Sequence, residues 1–297
     1  MLIPKHVQIE NVTGFCTARC IMCPRESSER KTNIMDNDTF TKILESFKPY
    51  RKKMHFLTLH GLGEPLLDKN FTEKVRISKE MGFNGVGFAT NCTELTHKVA
   101  SDLLNSGIDT IICSIDGLKK ETHEAIRIGT NFEDIVSNVK NFIKLRNKLR
   151  KRTKVLVRFI RQERNKDEWN GYYNYWIKQI NPDYGDDVIK FDIHNCGGVL
   201  ENYEAKDINR NVKLENIICS DVFERMLIFS DGRVALCDGD YNCFFDLGNV
   251  LKSDPIEIYN NEIFDHYRKM MDEGKILDLK HCNVCTIPRS RKLKIKD

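Results

Sequence analysis

The 297-residue sequence predicts an α/β fold, a parallel sheet built from six strand–helix units with a smaller α+β region after it. Three observations predict it. Short β-branched runs alternate with longer stretches of helical period over the first 195 residues, the pattern of strands joined by crossover helices. After about residue 195 that rhythm gives way to a hairpin signal and one longer helix. Apolar residues make up 40% of the chain, enough at this length to bury a substantial core.

The strands are expected at 7–13, 54–60, 85–90, 108–115, 154–160 and 188–193, each followed by a polar or glycine-containing turn. Asp36 or Asn37 caps the first helix. Gly82 and Gly107 stand where the second and third helices need a left-handed residue to end on, and a long helix spans 132–148. Trp169, Tyr172, Tyr173, Tyr175 and Trp176 recur at helical spacing and read as a packing face. In the C-terminal region, 226–236 holds two apolar runs joined by Ser230-Asp231-Gly232, with the glycine placed for positive φ. A single helix with proline in its first turn is expected over 255–271. The division is therefore 1–195 for the sheet and 196–297 for the smaller region, ending in a basic, solvated tail.

Charged residues make up 30% of the chain but the net charge is only +4, so no concentrated field points to nucleic acid. No apolar run reaches the length of a signal peptide or a membrane span, which places the protein in the cytoplasm, away from the membrane. In that reducing compartment eleven cysteines are poor candidates for disulfides, and metal ligation is the better reading. The partner expected is a small molecule or a peptide.

Three of these cysteines, Cys16, Cys20 and Cys23, follow the first strand at x3 and x2 spacing. Three thiolates from one short loop can hold a cubane cluster and leave one iron with an open position, as a catalytic site requires. Zinc is the other metal three thiolates suit, although no histidine lies in the loop.

The spacing, followed by Pro24-Arg25, resembles the motif of the radical S-adenosylmethionine (SAM) superfamily. The resemblance implies a partial (β/α)6 TIM-like barrel and a 4Fe-4S cluster that binds SAM at its open iron. It also implies that an electron from the cluster cleaves SAM to a 5'-deoxyadenosyl radical, which takes hydrogen from a substrate. It extends along the chain. Gly63-Glu64-Pro65 after the second strand is similar to the family motif that bonds the SAM amino group. Asn91 after the third strand, Ser114 and Asp116 after the fourth and Arg158 on the fifth would complete the cofactor site, with Arg158 reaching the carboxylate or ribose. Met22 stands where the family often has an aromatic residue beside the adenine, a place its polarizable side chain can fill.

The later cysteines Cys219, Cys237, Cys282 and Cys285, with Gly232 and Leu247-Gly248-Asn249 between them, resemble the family's auxiliary-cluster region of the SPASM or shorter twitch type. Four thiolates on a second 4Fe-4S cluster leave no free iron and imply electron transfer, while zinc also suits four sulfurs. A reductant such as flavodoxin or ferredoxin is implied as a partner.

The layout resembles the aminocyclitol and sugar dehydrogenases and epimerases of this superfamily. Oxidation of an alcohol to a ketone is favoured, with Asp238 ahead of Asp116, Asp192, His194 and Asp240 as the base. Cys243, in a polar segment, is the candidate hydrogen donor of an epimerase. Peptide maturation is a third reading, weakened by how soon Cys16 follows Met1, and a non-catalytic iron–sulfur or zinc scaffold is the reading from another class. Cys92 and Cys113 are expected to pack in the core, and Cys196 to stand near the cavity.

Overall fold

Six parallel strands form the sheet: β1 (His6–Ile9), β2 (Phe56–Thr58), β3 (Val86–Thr90), β4 (Thr110–Ser114), β5 (Lys154–Arg161) and β6 (Asp187–Asp192). The computed structural model describes residues 1–198, 200 and 218–290. Residues 291–297 of the expected basic tail lie outside them.

Consecutive strands lie side by side in the order β6-β5-β4-β3-β2-β1, each pair parallel, so the sheet winds in one direction as part of a barrel. Alternation along the strands sorts their side chains. Val7, Ile9, Leu57, Val86, Phe88, Ile111, Val155, Val157 and Phe159 are fully enclosed in the core, shared with the buried faces of the crossover helices. These helices are α1 (Asn37–Phe47), α2 (Phe71–Glu80), α3 (His97–Ser106), α4 (Lys120–Ile126), α5 (Phe132–Lys148) and α6 (Trp169–Trp176). The intervening strand residues, among them Gln8, Thr58, Ser114 and Arg158, face the other way, toward the barrel interior.

Local signals explain the helix limits. Asp36 accepts the Thr39 amide at 2.7 Å and caps α1, and Gly107, at φ 82°, ends α3. Tyr172 and Trp176 are buried on α6, in keeping with a packing role. The first expected strand is two pieces, because the chain turns after Ile9 and Val12–Thr13 pairs instead with Asn33–Ile34. The helix expected over 255–271 is also two. After the one-turn α7 (Asp221–Glu224) come α8 (Pro255–Tyr259) and α9 (Glu262–Asp272), separated at Asn260-Asn261. Asn261 Oδ1 accepts the Ile263 and Phe264 amides at 3.1 and 3.0 Å, so it starts a new helix where periodicity alone would continue the old one.

The expected hairpin forms from β7 (Arg225–Ile228) and β8 (Val234–Ala235), with Gly232 at φ 82°. Its first strand pairs in parallel with β1, His6 opposite Arg225 through Ile9 opposite Ile228, and extends the barrel sheet to eight strands. The C-terminal region thereby starts on the edge of the barrel, beside the strand that leads into the first cysteine loop. Among the described residues, no helix is long and apolar enough to cross a membrane.

Candidate active site

The loop that carries Cys16, Cys20 and Cys23 is tied down on two sides. Arg19–Cys20 pairs antiparallel with Arg127–Ile128, and the Glu64 and Gly14 amides donate to the Phe15 and Leu62 carbonyls at 2.8 and 2.9 Å. Gly63 is required here, since a Cβ at this position would meet the Val12 carbonyl oxygen at 2.4 Å. Burial raises the pKa of the Cys16 thiol and pushes that of Cys23 up to about 12, and the neighbouring cysteines of the triplet add to both shifts. Thiols held this way ionise once a cation compensates them. Among the described residues, no three His, Cys, Asp or Glu side chains stand close enough to ligate a single ion.

Glu64 is enclosed at the end of β2. Its carboxylate accepts from Thr90 Oγ1 at 2.7 Å, from the Asn91 amide at 2.9 Å and from the Leu66 amide at 3.2 Å. Asn91 in turn donates from Nδ2 to Thr17 Oγ1 at 2.9 Å and approaches Cys16 Sγ at 3.5 Å. The glutamate motif, the end of β3 and the cysteine loop therefore form one connected set. Met22 is half-buried in the loop, and Pro65 is buried at the start of a short 3-10 turn.

Ser114, buried at the end of β4, accepts from Arg158 Nη2 at 2.7 Å. Burial, then the nearby Arg127, lowers the pKa of Arg158 to about 10, and its buried Nε has no hydrogen-bond partner among the described residues. A guanidinium bonded to a hydroxyl and with an orphaned donor suits a carboxylate ligand. SAM carries one, so the donor set fits that cofactor.

Asp116, expected to contact SAM, is instead fully enclosed. Its Oδ1 accepts the Ile160 amide at 2.7 Å and its Oδ2 lies 2.7 Å from Arg127 Nη2. Arg127 also reaches Cys20 Sγ at 3.4 Å through Nη1. Arg127 sits in no sequence motif and meets its partners only through the fold. His60 likewise carries no motif signal in the sequence. Burial, then the positive charges of Arg158 and Arg225, lowers its pKa to about 3, and Nδ1 is buried with no hydrogen-bond partner among the described residues.

Asp238 is ion-paired with Arg225 and acts electrostatically on His60. The other candidates are held by partners, as Asp238 is. Asp192 pairs with Arg161 at 2.7 Å, and Asp240 accepts the Leu236 and Phe244 amides at 2.9 and 2.5 Å, as a turn residue does. His194 Nδ1 lies 3.5 Å from Cys196 Sγ. Cys243 donates its thiol to the Val234 and Phe245 carbonyls and packs against Leu227, Phe229 and Ala235, in the hairpin.

Of the four later cysteines, Cys219, Cys282 and Cys285 act electrostatically on Cys237. Burial raises its pKa, and Asp221, Cys219, Cys285 and Cys282 add to the shift. Burial, then Cys285, brings the Cys282 thiol to about 12. The end of β6 docks beside them, since Asn195 bonds both the Thr286 amide and hydroxyl and donates to the Val284 carbonyl. Cys92 and Cys113 are fully buried, and their thiols meet in the core.

Comparison with known proteins adds family and fold. A family model described as Radical SAM superfamily matches residues 11–158, and one described as an iron-sulfur cluster-binding domain, SPASM, matches residues 219–286. The tungsten-containing aldehyde ferredoxin oxidoreductase cofactor-modifying protein of Pyrococcus furiosus is 33% identical over 114 residues, 38% of this chain and 31% of that protein. The chain thus spans about a third of the length of that curated relative. BtrN in complex with AdoMet and 2-DOIA superposes with a TM-score of 0.64 at 21% identity, covering 96% of this chain and 94% of BtrN. Streptococcus suis SuiB bound to precursor peptide SuiA gives 0.69 at 13% identity, covering 90% and 67%. At such identities the likeness is one of fold.

Proposed function

The chain belongs to the radical SAM superfamily, with SAM and two 4Fe-4S clusters as its cofactors, and from that premise we propose that it oxidises an alcohol of a sugar- or aminocyclitol-like molecule to a ketone. Cys16, Cys20 and Cys23 would hold the first cluster, with Glu64, Asn91, Ser114, Arg158 and Met22 around SAM. Cys219, Cys237, Cys282 and Cys285 would hold the second. When bound, the first cluster with SAM supplies a hydrogen-abstracting radical and the second a one-electron acceptor.

The observation that carries the reading is the position of Asp238. It follows a cysteine of the second set directly and is paired with Arg225 on the strand beside β1, with His60 in its field. A carboxylate there can take the hydroxyl proton between the barrel interior and an electron acceptor. Loss of a hydrogen atom, a proton and an electron from a carbinol balances as a ketone. Among the folds that match, BtrN, whose complex holds 2-DOIA, supplies the small-molecule precedent for this reading, and anSMEcpe with its bound peptide, matched over as much of the chain, supplies the peptide one. Epimerisation with Cys243 as hydrogen donor is the less supported reading, because that thiol is turned toward backbone carbonyls. A ferredoxin or flavodoxin would deliver the first electron.

Anaerobic reconstitution with iron and sulfide counting, followed by incubation with SAM, reductant and 2-DOIA or related aminocyclitols, tests the proposal. About eight irons per chain, 5'-deoxyadenosine and a product two hydrogens lighter are expected. Unchanged mass with one deuterium gained from deuterated water would replace oxidation by epimerisation, and about four irons with one zinc would remove the electron acceptor.

A further inference from the structure

Arg127 stands between a carboxylate and a cysteine of the first loop. Its Nη2 lies 2.7 Å from Asp116 Oδ2, its Nη1 lies 3.4 Å from Cys20 Sγ, and its side chain is only 7% exposed. Both contacts are fixed by backbone. Arg127 is directly opposite Cys20 in a two-residue antiparallel ladder, and the Ile21 amide extends it by donating to the Ile126 carbonyl at 3.0 Å. Asp116 is held from the far side by the Ile160 amide at 2.7 Å and, through its own carbonyl, by Asn165 Nδ2 at 3.0 Å. The fork cannot swing away without leaving Asp116 buried and unpaired, a costly state.

Hydrogen bonds and charges at the sulfur ligands, in a site closed to water, set the reduction potential of an iron–sulfur centre. A guanidinium at a ligand sulfur favours the reduced form, which carries one more negative charge. The carboxylate behind it opposes that effect from a greater distance. We propose that Arg127 and Asp116 form a charge-balanced pair that sets the reduction potential of the cluster held by Cys16, Cys20 and Cys23, with Arg127 raising it and Asp116 limiting the rise. The proposal rests on the radical SAM reading of that loop. Arg127 acts through Cys20 as a positioning residue, and Asp116 acts through Arg127. The pair explains why the chain spends a fully buried aspartate at the end of β4 without giving it access to a ligand.

The two residues have opposite signs, which makes the test sharp. The reconstituted protein and its Arg127→Gln, Arg127→Lys and Asp116→Asn variants are titrated potentiometrically, following the reduced cluster by electron paramagnetic resonance. The signal that SAM addition perturbs identifies the first cluster. Arg127→Gln is expected to disfavour reduction by tenfold or more, about 59 mV for one electron. Asp116→Asn is expected to favour it by a similar factor, and Arg127→Lys, which keeps the charge and loses the fork, to fall between Arg127→Gln and the unmodified protein. Should Arg127→Gln fail to load iron, the lysine and asparagine variants decide by the same opposed signs. Shifts in the same direction, or all within threefold of the unmodified protein, overturn the proposal. If no signal responds to SAM in the unmodified protein, it is the radical SAM reading that fails.

Discussion

Glu64 illustrates how one residue can serve the fold at a cost in charge. Three donors favour its ionised form, but burial outweighs them and raises its pKa from 4.5 to about 7. Between those two values the folded chain binds a proton that the unfolded chain does not, so this carboxyl's contribution to stability is lost as pH rises from about 4.5 to about 7. Each tenfold change in proton affinity is worth about 1.4 kcal/mol, which makes the loss on the order of 3 kcal/mol. In the cluster-free protein, the stability of Glu64→Gln relative to the unmodified chain should rise by that order across the window and level off above it. Urea unfolding at a series of pH values checks this, and a difference independent of pH would refute it. Glu64 was legible because a glycine and a proline flank it in a spacing with known chemistry. Arg127 and His60 were not, since each acquires its meaning from partners brought in by other strands. Cys20, which Arg127 meets, lies 107 residues away along the chain.

Among the elements, strands and helices with a strong local period were legible nearly to the residue. α5 spans Phe132–Lys148 as expected, and Asn131 caps it. The parallel pairing of β7 with β1 was not legible, because strand register has no local signal when the partners are separated by most of the chain. The break between α8 and α9 left a trace in the two asparagines, which periodicity outvoted. Those asparagines do different work. Asn260 exchanges hydrogen bonds with the backbone of Leu2 at 2.7 and 2.9 Å, while Asn261 caps α9. Replacing Asn261 by alanine should therefore cost about 1 kcal/mol in chemical denaturation. A cost within a few tenths of zero would mean that packing of Phe264, Tyr267 and Met271, not the cap, decides where α9 begins.

At the scale of the whole molecule, the segment that follows the first cysteine loop clasps the C-terminal region to the barrel. Arg30 pairs with Glu10 at 2.5 and 3.0 Å, donates from Nε to the Tyr241 carbonyl at 2.6 Å and lies over the Phe229 ring at 3.7 Å. Ser28 and the Glu29 amide both donate to Asn242 Oδ1 at 3.0 Å, and Asn33 and Thr13 reach Ser230. The barrel and the C-terminal region are thus joined through Arg30, whose ion pair with Glu10 is buried, the two side chains being 4% and 1% exposed. Such a pair contributes little net attraction, because each ion has given up its hydration, but removing one member leaves the other charged and unsolvated. Arg30→Met keeps most of the aliphatic volume and deletes the charge, so Glu10 is left with the Leu62 amide as its remaining close backbone donor, at 2.9 Å. The expected loss in unfolding free energy is about 3–5 kcal/mol. It should shrink as pH falls and Glu10, whose pKa burial already raises, takes up a proton. Glu10→Gln together with Arg30→Met should recover part of it. A double variant no more stable than Arg30→Met alone would show that the contacts to Tyr241 and Phe229, and not the charge on Glu10, make Arg30 the clasp.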